Sequence, residues 1–177
     1  MASFIALLRG INVGGRTSIP MAELRALAEE IGLADVRTYI QSGNLLFNAD
    51  KQDGLEERLE VAVAQRFIAV PVIVRSAQDW ARYRDNNPFP EAAETEPNRL
   101  MMMLSKAPPK DDAAAALQER ARDGDRIALA GGALWIHYPG GSGTSKLSPS
   151  LIDKVVGSPA TARNWRTVLK IGEMLGG

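Results

Sequence analysis

The sequence predicts an α+β protein of the ferredoxin-like kind, and three observations carry that prediction. Apolar residues recur at helical spacing twice before residue 70. Short apolar or β-branched runs lie before, between and after those two stretches, and glycine or proline marks most of the boundaries. In order these give β-α-β-β-α-β, the arrangement in which right-handed crossovers lay two helices on one face of a four-stranded sheet.

Residues 4–8, FIALL, are a short apolar run closed by Gly10 and read as a buried strand. After the loop INVGGRTSIP, Met21, Leu24, Leu27, Ala28 and Ile31 follow helical spacing, with Pro20 suited to the first turn and Gly32 to the stop. Residues 36–40 and 45–47 have strand character, and Gln41, Ser42, Gly43 and Asn44 between them form a turn or a bulge. Asp53 is placed to cap a second helix whose Leu55, Leu59, Ala62, Val63 and Phe67 face inward, and residues 70–74 complete the series as a strand.

The remainder reads as a second, incomplete pass. A short helix over 78–84 leads into DNNPFPEAAETEP, expected to be a surface loop or linker. A strand at 100–104, an alanine-rich helix at 111–122 and a hairpin around Gly131-Gly132 follow. The glycine-rich PGGSGTSK then separates this hairpin from two terminal helical segments. The expected division is therefore a ferredoxin-like subdomain over 1–86 and a partly similar α+β subdomain over 87–177 with C-terminal helices, the last of them amphipathic.

Composition excludes several chemistries. There is no Cys, which removes disulfides, thiolate metal sites and cysteine nucleophiles, and the single His137 argues against zinc sites of the usual kind, so no metal is expected. Lys and Arg balance Asp and Glu at 21 each, so any site for an anion must be local. The N-terminal MASFIALLRG lacks the features of a secretion signal, and no run approaches the roughly 18 apolar residues of a membrane span. A soluble cytoplasmic protein with no membrane partner is expected.

Four segments carry candidate chemistry. Gly10 to Thr17 nearly fits the phosphate-cradling G-x-x-x-x-G-K-[ST] pattern, with Arg16 in place of the lysine. The helix start at Pro20 lies too far downstream for nucleotide hydrolysis of that type, but Arg9, Asn12, Gly14, Gly15 and Arg16 retain the makings of an anion-binding loop. Tyr39, Gln41, Ser42 and Asn44 gather hydrogen-bonding groups around a glycine, either to recognise a polar ligand or to satisfy the backbone of the turn. The loop holding Ser145 and Lys146 is a candidate lid or phosphate contact. Finally, TARNWRTVLKIGEM reads as one helix with Thr161 as its cap and Arg163, Arg166, Thr167 and Lys170 along a basic face. Asn164 belongs to the same segment. His137, inside LWIHYP, reads as an edge or partly buried structural residue.

RGINVGG, TYIQSGN and TARNWRTVLK, in this order and at these distances, resemble the bacterial family known as domain of unknown function 1697, DUF1697. The matching positions are Arg9, Gly10, Asn12, Gly14 and Gly15; Tyr39, Gln41, Ser42, Gly43 and Asn44; and Thr161, Arg163, Asn164 and Trp165. The resemblance implies an α+β fold with ferredoxin-like elements and names no reaction, substrate or cofactor. After Gly15 the chain has Arg16-Thr17-Ser18, where the family form is richer in lysine.

The resulting expectation is a module that binds an anionic ligand: a phosphorylated metabolite, a nucleotide or single-stranded RNA. The site would combine the first loop, the 39–44 segment, Lys146, Arg163 and Asn164. The alternatives are a transferase or hydrolase acting on a phosphate-containing substrate, or a self-associating interaction protein. The catalytic residues, the cofactor and the oligomeric state are left open by the sequence.

Overall fold

A computed structural model describes residues 1–15 and 17–176. The chain divides into two compact units, residues 1–80 with 173–177, and residues 81–172. The expected role of Arg16 lies outside the described residues.

The first unit contains β1 (Ala2–Leu8), α1 (Met21–Glu30), β2 (Ala34–Tyr39), β3 (Asn44–Ala49), α2 (Leu55–Arg66) and β4 (Val72–Ser76). Its antiparallel sheet has the order β2-β3-β1-β4, the ferredoxin-like topology expected from the sequence. Phe4, Ala6 and Leu8 alternate along β1 and pack with Leu45, Phe47, Val72 and Val74 against Leu24, Leu27, Leu55, Leu59 and Val63 of the helices. Ile5, Leu7, Leu46 and Ile73, on the opposite face, are buried as well. Burial on both faces explains why β1 is a continuous apolar run. The start of α2 differs from expectation: Gly54, at φ 75°, occupies the cap position and Asp53 makes no side-chain cap there.

Helix α3 (Ala77–Asp85) follows, and then the segment expected to be a linker, which instead holds α4 (Pro90–Thr95) and a 3-10 turn, Pro97–Arg99. Pro90 stands at the start of α4, where its fixed φ favours the helix and its missing N–H costs nothing.

The second unit then continues through β5 (Leu100–Ser105), α5 (Ala113–Arg120), β6 (Arg126–Ala130), β7 (Ala133–His137), α6 (Pro149–Val156) and β8 (Ala160–Asn164), before α7 (Trp165–Met174). Its sheet order is β6-β7-β5-β8, so the second pass is complete and has the same topology as the first. The missing strand was concealed in TARNWRTVLK. Residues 160–164 pair antiparallel with β5, placing Thr161 opposite Leu104 and Arg163 opposite Met102. The helix begins only after them, and Asn164, not Thr161, caps it: Asn164 Oδ1 accepts the Thr167 amide at 3.0 Å. The helix-facing core of this unit gathers Met103, Leu134, Ile136, Tyr138, Ala113, Leu117, Ile152 and Val156. Among the described residues, no helix is long and apolar enough to cross a membrane.

Candidate functional site

At one end of the first sheet the β1–α1 connection, residues 9–20, meets the β2–β3 turn, residues 40–43. The register requires this, because β1 runs antiparallel to β3 with Leu7 opposite Asn44 and the chain leaves one strand where it enters the other. Asn12 ties the two segments together. Its Nδ2 donates to the Ile19 carbonyl at 3.0 Å and the Gln41 carbonyl at 2.7 Å, while its Oδ1 accepts the Ile19 amide at 2.8 Å. Its own amide donates to the Thr17 carbonyl at 3.0 Å. The residue sits at φ 55°, in the left-handed region that Asn tolerates better than most.

On the turn side, Asn44 is buried and its Nδ2 donates to the Tyr39 carbonyl at 3.0 Å and to Ser42 Oγ at 3.1 Å. The Gly43 carbonyl accepts the Leu8 amide at 2.9 Å. A Cβ on Gly43 would lie 2.8 Å from Ile11 Cδ1 and 2.9 Å from Leu8 Cβ, and φ there is +86°. Glycine is thus required for both space and conformation.

This bracing sorts the expected site residues into two groups. Asn12, Ser42, Gly43 and Asn44 hold the two segments in place. Gly14, Gly15 and Gln41 are exposed at the surface of the same structure. The Gly14 and Gly15 amides and the Gln41 side chain make no hydrogen bond among the described residues. Tyr39 is half-buried, and so is Arg9, whose amide donates to the Pro71 carbonyl at 3.0 Å. Two further residues, which the sequence did not single out, stand among the exposed ones: Val13 is 63% and Ile40 51% exposed. Ile40 is β-branched and held at φ 52°, a conformation costing on the order of 1–3 kcal/mol.

In the second unit, Lys146 is exposed, but the neighbouring Ser145 is tied down. Its Oγ donates to Asp125 Oδ2 at 2.7 Å and accepts the Leu147 amide at 3.1 Å, and Asp125 is buried. A Ser145–Lys146 dyad is incompatible with that arrangement, since the hydroxyl proton is directed at a carboxylate. Arg163 does not lie on a helical basic face. It is a buried strand residue whose Nη1 donates to Thr161 Oγ1 at 2.8 Å and to the Ala162 carbonyl at 2.9 Å, and burial pushes its pKa down to about 10. Thr167, assigned to the same face, is buried too, leaving Arg166 and Lys170 exposed.

His137 is buried in β7, an inner strand of its sheet rather than an edge. Its Nδ1 lies 3.0 Å from Arg126 Nη2, and its Nε2 lies 3.4 Å from Glu96 Oε1. A guanidinium only donates, so Nδ1 accepts and the ring proton is on Nε2, facing the carboxylate. Arg126 also stacks over Phe89, 4.8 Å from the ring centroid. These contacts fasten the segment before β5 to the β6–β7 hairpin.

Fold and site together define a protein of two ferredoxin-like units, the first bearing a braced, glycine-rich loop pair at the end of its sheet. The chain belongs to the family described as protein of unknown function DUF1697, whose model matches residues 1–135. That range contains RGINVGG and TYIQSGN; TARNWRTVLK lies beyond it. The chain is also similar to the solved structure of the conserved bacterial protein SP0830 from Streptococcus pneumoniae, at 26% identity and a TM-score of 0.73, over 98% of each chain. No curated protein matches the chain.

Proposed function

We propose that the braced loop pair of the first unit is a binding site for a phosphate-bearing ligand. The observation that carries this reading is the exposure of the Gly14 and Gly15 amides, both at positive φ, on loops that Asn12 holds in place. Backbone donors that have no partner among the described residues, in a loop anchored beside them by Asn12, are suited to an anion, because little reorganisation is needed when the ligand arrives. Arg9 and Arg16, the basic residues of the segment, supply charge in this reading, and Gln41 supplies a side-chain amide. Arg163, Asn164 and Lys146 have no part in it: the first is buried, the second caps a helix, and the third belongs to the other unit's loop. A cytoplasmic location fits a chain without cysteine.

The test is an amide-resolved NMR titration with inorganic phosphate and pyrophosphate at low ionic strength. The Gly14 and Gly15 amides and the Gln41 side-chain amide are expected to shift, and added salt is expected to weaken the effect. Arg9→Ala is expected to weaken binding about fivefold. The second unit is a built-in control. It carries 13 Lys and Arg against 10 Asp and Glu, whereas the first carries 8 against 11, so unspecific attraction would concentrate in the second. Shifts confined to the second unit, or none at all, overturn the reading.

A further inference from the structure

The apolar residues at the braced site bear on the rest of the ligand. Val13 directly follows Asn12, and Ile40 directly precedes Gln41, whose carbonyl Asn12 holds. The brace therefore draws together the two backbone segments that carry these side chains. Both are exposed, and Ile40 is kept in a left-handed conformation that β-branched residues avoid. With Val13 63% and Ile40 51% exposed, the interior takes up only part of either side chain. A bare phosphate would gain nothing from them, since its contacts are hydrogen bonds and charge. An apolar surface beside exposed amides suits a ligand with an anionic end and a flat, weakly hydrated body.

Resting on the phosphate reading above, we infer that the site takes a nucleoside phosphate whose base lies against Val13 and Ile40. The phosphate meets the Gly14 and Gly15 amides, and the Gln41 side chain, which offers both a donor and an acceptor, meets the polar edge of the base. A free nucleotide and the end of a single RNA strand present this same chemistry.

Calorimetric titrations with AMP, ribose 5-phosphate and a short oligoadenylate test the inference. AMP is expected to bind at least about tenfold more tightly than ribose 5-phosphate, a difference of about 1.4 kcal/mol. The double variant Val13→Ser, Ile40→Ser is expected to bring AMP down to the ribose 5-phosphate level and to leave ribose 5-phosphate itself within about twofold. Ile40→Gly relieves the backbone strain and is the check that a loss is not unfolding: it too is expected to weaken AMP selectively. Oligoadenylate binding much tighter than AMP assigns the chemistry to a strand end, and equal affinity assigns it to the free nucleotide. If AMP and ribose 5-phosphate bind alike while inorganic phosphate still shifts Gly14 and Gly15, this inference fails and the phosphate site stands. Silence of all phosphate probes removes both. Self-association that the double variant abolishes, with no preference for AMP, assigns Val13 and Ile40 to a protein contact and overturns the inference.

Discussion

In the second unit the chain passes from β6 to β7 through two glycines, Gly131 and Gly132, both at positive φ as a type I′ hairpin turn requires. At the equivalent end of the first unit the β2–β3 turn has four residues, the preceding β1–α1 connection runs over 9–20, and an asparagine stitches the two together. The topology is the same and the sheet end differs. A ferredoxin-like unit evidently needs no more than a tight turn at this place, so the longer loops, the strained Ile40 and the exposed amides of the first unit are not requirements of the fold. The second unit spends its irregularity differently, on buried polar groups. Ser105, Asp125, His137, Thr161, Arg163 and Thr167 are all buried there, whereas the first unit buries Asn44 alone among the described residues.

The largest test of this contrast is at Gly43. An alanine there meets Ile11 and Leu8 and takes an unfavourable φ, so Gly43→Ala is expected to lower stability by about 3 kcal/mol in urea unfolding. Gly14→Ala has the same conformational penalty but open space around the added methyl, and is expected to cost about 1 kcal/mol. Equal losses at the two glycines would erase the distinction between residues that build the loop pair and residues it exposes.

Asn12→Ala comes next. It removes three side-chain hydrogen bonds and is expected to cost about 2 kcal/mol. Hydrogen exchange should accelerate over 12–19 and 40–43 together, with the second unit's hairpin unaffected. Faster exchange in one segment alone would mean that Asn12 does not couple them.

Much of this architecture was legible in advance. Helices α1 and α2 announced themselves because one face of each repeats leucine and alanine at helical spacing, and β1 because FIALL is buried on both faces. Strand β8 was not, because Ala-Thr-Ala-Arg-Asn has little intrinsic strand preference and becomes a strand by pairing with β5, a contact that no local pattern encodes. The error at β8 carried the error at Arg163: on a helix it would share a face with Arg166 and Lys170, but in a strand it turns inward. The candidate site was legible only as a place. Asn12 and Asn44 stand out in the sequence as polar residues beside glycines, yet an asparagine amide offers the same atoms to a backbone as to a ligand, and only geometry shows that both are spent on bracing. Val13 and Ile40 went unnoticed because an apolar residue in a sequence reads as core until its exposure is known.

A pH titration probes the second unit's preference for buried polar groups. Tyr138 is buried, and desolvation first, then the Asp125 carboxylate, pushes its pKa from 10.0 up to about 12. A phenol whose pKa is raised on folding stabilises the fold fully below its unfolded value, and loses that contribution as pH rises through the folded value. On the order of 2 kcal/mol should therefore disappear between about pH 10 and pH 12. Ultraviolet titration should show Tyr138 ionising late, and Tyr138→Phe should remove that step and flatten the stability loss over the same interval. If the step that Tyr138→Phe removes falls near the ordinary phenol value of about 10, its surroundings are wetter than the geometry indicates.

The smallest effect separates the two units' loops most directly. Ser145→Ala leaves the backbone of its loop intact and removes only the hydroxyl that joins Asp125 to the Leu147 amide. Because the loop is largely exposed, water replaces part of what is lost, and the expected cost is about 1 kcal/mol, half that of Asn12→Ala. Phosphate shifts at Gly14 and Gly15 should be unchanged in this variant, and hydrogen exchange should rise over 139–148 only. The two loops differ in what lies beside their tether: in the first unit it is Gly14 and Gly15, exposed and with amides that have no partner among the described residues, while in the second a hydroxyl is spent on a buried carboxylate. A Ser145→Ala protein that lost phosphate binding would place the ligand at the second unit's loop and reverse the assignment drawn from the first.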